Sequence, residues 1–410
     1  MRRALAVYVL TLVGLIVAGV FLLKLPVATL APHGAPFQWI DAIYTSVSAT
    51  CGVGLTSREL DVYLTTTGQT LVAVVMQAGA LVHMMVICVL LVRVLAPKVS
   101  PRRVVAAVLC TTFAIELLAA VAMWPAGDDT ASTAQRAGWN LFHAISAYSQ
   151  VGLTLSDSRF AMGRFVWPMH AVIVPLMFLG SVGLPVLVCL PMRHWYARAA
   201  WGGAFLVYIV GVAALMVSQC CDTNASWHTL IADSSFLSAS ARTTGLSTLR
   251  SDHLSIGSQS VLMVLMVIGV NPGSAGGGVG PALILILART VVGKLPGRGH
   301  HGEHDAQCNI KHYTNARTRQ VLTRLAWCSV IMMALLVTGV ASLLACFEPY
   351  VPAALMFESI SASTGTGLPV NDLGMTRAGT WTMIAAMFAG RMGPAVLTII
   401  VLRRAAVDNR

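Results

Sequence analysis

Runs of predominantly apolar residues fall near 4–23, 71–95, 104–124, 166–190, 199–217, 261–288, 321–346 and 380–402. Rising ~1.5 Å per residue, a helix over each run is about long enough to cross ~30 Å of hydrocarbon. The pattern predicts eight membrane spans. The first run follows Arg2 and Arg3, as a secretory signal would. Its apolar core is longer than the ~7–15 residues of such a signal, so it reads as a retained span, with cleavage as the lesser alternative.

Between the spans one unit recurs. Four segments share an amphipathic stretch, then serine and alanine, then a glycine followed by leucine: IYTSVSATCGVGLTS from Ile43, FHAISAYSQVGLTLS from Phe142, FLSASARTTGLSTL from Phe236 and MFESISASTGTGLPV from Met356. The Gly-Leu pairs begin at Gly54, Gly152, Gly245 and Gly367. Each copy lies between two spans and follows a half-length stretch such as Phe37–Ser48 or Trp139–Tyr148. A unit thus reads as a span, a short helix re-entering the membrane, an extended glycine-containing segment, and a second span. The boundaries are 1–98, 99–195, 196–292 and 319–410, with a basic, histidine-rich stretch at 293–318 before the fourth unit.

Non-helical backbone at membrane depth survives only where protein buries it or where it lines a wet cavity. Four extended segments meeting on one axis satisfy that condition, and carbonyls aimed inward form oxygen rings able to replace the water around a monovalent cation. The candidate ring residues are Thr50, Cys51, Gly52, Val53 and Gly54 in the first segment, and Ser149, Gln150, Val151 and Gly152 in the second. Thr243, Thr244 and Gly245 follow in the third, and Thr364, Gly365, Thr366 and Gly367 in the fourth. A single Gly-Leu pair reads as an ordinary interhelical turn; four in the same context do not.

Composition supports the membrane setting. Only 10% of the 410 residues are charged, and the mean hydropathy is +0.75. With the N-terminus inside, eighteen of the 27 lysines and arginines lie in cytoplasmic segments, while twelve of the 16 acids lie outside. That follows the tendency of Lys and Arg to concentrate in short cytoplasmic loops, and both termini are then cytoplasmic. The net charge of +11 is a topology signal and not a nucleic-acid footprint. Asp41, Asp233 and Glu358 are predicted to hold charge at the outer mouth or to cap the short helices. The nine cysteines give no disulfide framework. Adjacent Cys220 and Cys221 read as small apolar residues, an oxidised pair being the alternative.

The run at 261–288 is broken by GVNPGSAGGGVGP. Pro272 and Pro281 donate no backbone hydrogen bond, and each glycine costs roughly 1 kcal/mol in a helix, so an uninterrupted helix is not expected. The stretch lacks the Gly-Lys-Ser/Thr ending of a phosphate-binding loop. It reads as an intramembrane loop under the ring, blocking the path when closed. Arg391 is a charge inside the last span, where such residues usually face a cavity or a partner. Projecting beneath the ring, it raises the barrier to cations or pairs with carbonyls of the loop; a structural tie between helices is the alternative. Glu116 is read as paired with a neighbouring unit or accepting hydroxyls, and His83 as packed or hydrogen-bonded in preference to a pH sensor.

In the stretch HHGEHDAQCNIKH, His304, Cys308 and His312 recur every four residues and would share one helical face, with donors suited to zinc. The spacing fits no strong zinc motif, so a solvated basic loop is the default and a weak metal site the alternative. The same loop offers a docking surface for a regulator.

The four Gly-Leu segments, with MFLGSVGLPVLV at 177–188, NPGSAGGGVGP at 271–281 and MFAGRMGPAVL at 387–397, resemble the bacterial TrkH/KtrB potassium transporters. The resemblance covers essentially the whole chain, which begins directly at its first unit and in this is closer to the KtrB arrangement. It implies an all-α polytopic fold, with four M1-P-M2 units in pseudo-fourfold symmetry around a central pore, eight spans and four re-entrant pore helices. It further implies K+ as the transported ion, held by filter carbonyls, a homodimer in the bacterial inner membrane, and a cytoplasmic nucleotide-binding regulatory subunit of the TrkA/KtrA type. Nucleotide is expected on that partner and not on this chain. By the same resemblance Gly273, Ser274, Ala275, Gly276, Gly277 and Gly278 form the gate loop, Arg391 the permeation barrier, and Arg242 a brace behind the third segment. A glycine in all four filter loops goes with potassium preference. Two departures stand out: relatives commonly carry a lysine after the glycine run, where this chain has Gly280-Pro281, and the first unit reads QAGALVHMM in place of Gln-x-Gly-Gly-x-Gly.

The sequence thus predicts a gradient-driven potassium uptake subunit, not an enzyme. Sodium or weakly selective monovalent cation translocation on the same scaffold is the alternative. An intramembrane enzyme is remote, since Glu116, His83, His170 and Arg391 make no catalytic arrangement at membrane depth.

Overall fold

A computed structural model of the chain describes residues 2–32, 35–124, 132–155, 169–190, 194–222, 226–249, 254–292, 316–369 and 374–407. The predicted trio His304, Cys308 and His312 lies outside the described residues. Among those described, the regular structure is helical, and the β-pairing is limited to isolated bridges, Thr29 with Leu64 and Pro272 with Ser274.

The helices in the first half are α1 (Arg2–Leu23), α2 (Trp39–Cys51), the single turn α3 (Leu60–Tyr63), α4 (Thr66–Leu95), α5 (Pro101–Ala122), α6 (Thr133–Tyr148), α7 (Val174–Val182) and α8 (Leu184–Val188). A π-helical turn at Met169–Ile173 leads into α7. The second half holds α9 (Trp195–Asp222), α10 (Trp227–Ser240), α11 (Ile256–Ile268), α12 (Pro281–Val292), α13 (Ala316–Phe347), α14 (Pro352–Thr364) and α15 (Arg377–Val407). Their starts follow local chemistry. Ser100 accepts from the Arg103 N–H and Pro101 takes the first position of α5, where a missing N–H is no loss. Ser132 and Gln135 form a reciprocal capping box, which starts α6 well ahead of the predicted Trp139 boundary.

Among the described residues, six helices are long and apolar enough to cross a membrane: Leu5–Leu23, Thr66–Leu95, Pro101–Ala122, Trp195–Cys220, Gln320–Phe347 and Arg377–Val401. The other two predicted spans are interrupted. Within 166–190, α7 stops where Gly183 takes a left-handed φ of 77°, and Pro185, with no N–H to donate, opens α8. Hydropathy registers only a continuous apolar run there. The other interruption is the one the glycines and prolines predict, with α11 ending at Ile268 and α12 beginning at Pro281.

Each short helix is flanked by its sequence neighbours: α2 by α1 and α4, α6 by α5 and α7, α10 by α9 and α11, and α14 by α13 and α15. The last helix returns to the first, α15 packing on α1, α2 and α4, with Ala395 and Met392 against Tyr8, Leu12 and Ile87. The apolar windows of α4 and α15 are 50% and 56% buried, those of α1 and α13 only 22%, so the former lie inside the assembly and the latter form its rim. Exposed leucines such as Leu10 and Leu335 suit that rim to lipid.

Small residues set the depth at which short helices seat. A side chain at Gly79 would collide with the Thr50 carbonyl, at Gly180 with the Tyr148 carbonyl, and at Gly390 with the Ser363 carbonyl. These carbonyls occupy equivalent places, four residues before the shared glycine. Gly14, by contrast, has nothing within 4 Å of an added Cβ. Gly79→Ala is therefore expected to destabilise the purified protein by about 1–3 kcal/mol through overpacking. Gly14→Ala is expected to be neutral or stabilising by up to about 1 kcal/mol through helix propensity. Thermal unfolding in detergent micelles checks both, and the opposite ranking would contradict this packing.

Candidate ion pathway

Each short helix ends in a turn folded back on itself by one serine. The carbonyls of Ser48, Ser146, Ser240 and Ser361 accept from the backbone N–H groups of Val53, Val151, Gly245 and Thr366, at 3.0, 2.9, 3.1 and 2.9 Å. Three of these serines also donate their hydroxyls to the carbonyl of the leucine after the shared glycine: Ser146 to Leu153 at 2.7 Å, Ser361 to Leu368 at 2.8 Å, and Ser240 to Leu246. Sequence reasoning missed their role, although a serine stands five or six residues before the glycine in all four copies.

The extended segments then meet in a cycle. Gly54, Gly152, Gly245 and Gly367 all adopt left-handed backbone, with φ of 91°, 84°, 68° and 76°. Any side chain at Gly54 would strike the Val151 carbonyl, at Gly152 the Thr244 carbonyl, at Gly245 the Thr366 carbonyl, and at Gly367 the Val53 carbonyl. The fourth segment thus closes on the first. Glycine is required twice at each place, once for the backbone angle and once for the contact.

The remaining candidate residues fall around this ring. Thr50, Cys51 and Thr364 belong to the last turns of α2 and α14 and not to the extended segments. The Cys51 side chain is buried among Tyr44, Val47 and Met387, which removes it from reach of a thiol reagent in the outer solution. Gly52 and Gly365 cap those helices in left-handed conformation, at φ 66° and 71°. Gln150 is the one non-glycine residue with positive φ among the described residues, at 55°, a conformation that costs roughly 1–2 kcal/mol without compensation. Thr364 and Thr366 share a hydroxyl hydrogen bond of 2.8 Å.

Behind the ring, Arg242 donates to the Ala204 carbonyl at 3.0 Å and to the Ser181 hydroxyl, and its guanidinium lies over the Phe178 ring. Glu116 accepts from Gln77 at 2.9 Å and from Ser149 at 3.0 Å, joining α4, α5 and the second segment. The predicted mouth acids are placed differently. Asp41 accepts from the Gln38 N–H at 3.0 Å and from Ser57 at 2.7 Å, closing the start of α2, but Asp233 and Glu358 are buried within their helices. Neither lines an open mouth, because each lies several residues past its helix start.

Beneath the ring sits the loop 269–280. Its root is anchored by Asn271, whose N–H donates to the Ser181 carbonyl at 3.0 Å, and whose side chain bonds the Ala200 carbonyl and the Ala282 N–H, each at 3.0 Å. Tyr196 donates to the Pro272 carbonyl at 3.1 Å and Cys88 to the Gly273 carbonyl at 3.2 Å. The helix break at Gly183 packs on the same stretch, within 3.3 Å of Pro272, Gly273 and Ser274 for an added Cβ. The tip is held by Arg391, which donates to the Ala275 carbonyl. Arg391 is buried, and its Nε and second terminal nitrogen have no hydrogen-bond partner among the described residues. The loop touches the ring where Gly277 lies against the Thr364 carbonyl and Gly276 against the Thr243 hydroxyl, and beside these contacts a small cavity is lined by Gly52, Gly365, His83, Gly390 and Arg391. His83 is hydrogen-bonded through Nδ1 to the Tyr8 hydroxyl at 2.7 Å.

Long apolar helices, short helices seated between them and four extended segments closed in a cycle define the architecture of a polytopic membrane protein. The family described as TrkH, cation transport protein, matches residues 204–409, half of the chain. The chain belongs to that family. It is 24% identical to the Ktr system potassium uptake protein B of Bacillus subtilis, over 92% of this chain and 88% of that protein. It is also 24% identical to the potassium/sodium uptake protein NtpJ of Enterococcus hirae, over 95% and 92%. The fold is shared with the potassium transporter TrkH from Vibrio parahaemolyticus, with a TM-score of 0.68 at 16% identity, covering 98% of this chain and 85% of that one. These relatives are named as transporters, not enzymes.

The serine ties yield a direct check. Ser361→Ala leaves the buried Leu368 carbonyl without its donor and is expected to lower stability by about 1–3 kcal/mol. Thermal unfolding measures it, and an unchanged midpoint would mean that the hydroxyl bond contributes nothing.

Proposed function

We propose that this chain is the membrane subunit of a potassium uptake system and that the ring is its selectivity filter. The observation that carries the reading is the cyclic closure of Gly54, Gly152, Gly245 and Gly367, each against the carbonyl preceding its neighbour's glycine. Backbone oxygens gathered so tightly from four segments suit a partly dehydrated monovalent cation. The filter draws on Thr50 to Gly54, Ser149 to Gly152, Thr243 to Gly245 and Thr364 to Gly367, with Thr50, Cys51 and Thr364 contributing from the ends of α2 and α14. Around it stand four units, 1–98, 99–195, 196–292 and 319–410, giving eight spans and four pore helices, with α7–α8 and α11–α12 as interrupted second spans.

Gly273 to Gly278 act as the gate. The loop lies under the filter, and Arg391 holds its tip while placing a positive charge in the cavity through which a cation leaves. Opening moves the tip aside and breaks the contact between Arg391 and Ala275. A homodimer in the inner membrane, termini cytoplasmic, with a nucleotide-binding regulatory subunit on the cytoplasmic face, completes the working assembly. The naming of the Bacillus subtilis relative as part of a Ktr system supports a multi-component arrangement. A second reading, joint potassium and sodium translocation, is favoured by the name of the Enterococcus relative.

Rubidium and sodium flux into proteoliposomes separates the readings. Wild type is expected to pass rubidium in preference to sodium, and Gly54→Ser to lose that preference; equal wild-type fluxes would favour the second reading. Arg391→Ala is expected to raise rubidium flux several-fold, since it removes both the latch and the buried charge opposing the cation. An unchanged rate would return Arg391 to a structural role.

A further inference from the structure

The second extended segment is held differently from the others. At the place equivalent to Gln150, the first and fourth segments have Gly52 and Gly365, which take left-handed backbone without strain. Gln150 takes the same conformation with a side chain fixed at both ends. Its amide nitrogen donates to the Ala147 and Met177 carbonyls, each at 2.9 Å, and its amide oxygen accepts from the Thr243 hydroxyl at 2.8 Å. Two carbonyls on one end and a hydroxyl on the other leave a single consistent amide orientation. Gly180 lies against this amide and has no room for a side chain of its own.

Thr243 occupies the equivalent place in the third segment, so this bond joins neighbouring segments at the base of the ring. It is buried, and Ser149 next to Gln150 is tied to Glu116. The second segment is therefore fixed from beside, behind and below. The opposite half of the base, formed by Gly52 and Gly365, carries no side chain and opens on the cavity of Arg391. At this level one half of the ring carries side chains that cross between segments, and the other carries none.

We propose that Gln150 and Thr243 form a positioning clamp that sets the ion discrimination of the ring, a role that rests on the ring being the filter. A carbonyl ring favours the larger, more easily dehydrated cation only while its oxygens resist closing around a smaller one or admitting extra water. With glycines on the opposite half, that resistance comes from the crossed side chains of the second and third segments. The clamp acts through the backbone, not by touching the ion.

The test compares rubidium and sodium flux in proteoliposomes for wild type, Gln150→Gly, Thr243→Val and the double variant. Gln150→Gly keeps the left-handed backbone, and Thr243→Val keeps the side-chain shape while removing the donor, so each deletes the clamp by a separate route. Each single variant is expected to lower the rubidium-to-sodium ratio about tenfold, the order set by losing a buried hydrogen bond. The double variant is expected to fall no further, because both changes break the same bond. A purely structural role would reduce both fluxes together and leave the ratio at its wild-type value, which would overturn the clamp; so would additive losses in the double variant. Equal fluxes in wild type would instead bring down the filter reading, and the clamp with it.

Discussion

Everything in this fold depends on how four stretches of non-helical backbone are accommodated at membrane depth. Hydrocarbon offers no hydrogen bonds, so such backbone must find its partners within the protein. Here hydrogen bonds within each unit meet part of that need, and close packing between units adds to it. Each segment is folded back on the serine at the end of its own short helix, and each shared glycine lies against the carbonyl of the next segment. The second contact is cyclic, and no segment is in place unless its neighbours are. The close seating of α4, α7 and α15 on the short helices, through Gly79, Gly180 and Gly390, transmits the position of the long helices to the ring.

The loop beneath the ring is fixed by different means. Its root is bound to α4, α7 and α9 and to the Gly183 break, through Cys88, Asn271 and Tyr196, while its tip accepts from Arg391 at the Ala275 carbonyl and from the Val270 N–H at the Gly277 carbonyl. Arg391 retains two buried nitrogens without a hydrogen-bond partner among the described residues, so part of its hydrogen-bonding capacity is unused.

Much of this was legible in the sequence because glycine records backbone geometry directly. The four Gly-Leu pairs located the ring, and the Pro272 to Pro281 stretch located the loop, since both are positions where only particular residues fit. Glu116 and Arg391 were legible as costly charges in apolar runs and Arg242 through the family resemblance, and each has hydrogen-bond partners in the fold. The break at Gly183 was not visible, because GLPVLV keeps its hydropathy across an interrupted helix. Asp233 and Glu358 were misplaced, since nearness to a loop in sequence does not distinguish an open mouth from the inside of a helix packed on all sides. The serine ties and the Gln150–Thr243 bond were hidden for another reason. Serine, glutamine and threonine are ordinary turn residues, and their partners lie in distant segments.

The central claim is that the four segments enclose a cation site. Diffraction from crystals soaked in rubidium, recorded at the rubidium absorption edge, tests it most directly. The account predicts anomalous density on the axis of the ring, within reach of the Val53, Val151, Thr244 and Thr366 carbonyls. Rubidium bound elsewhere in the protein, with the ring empty, would contradict it.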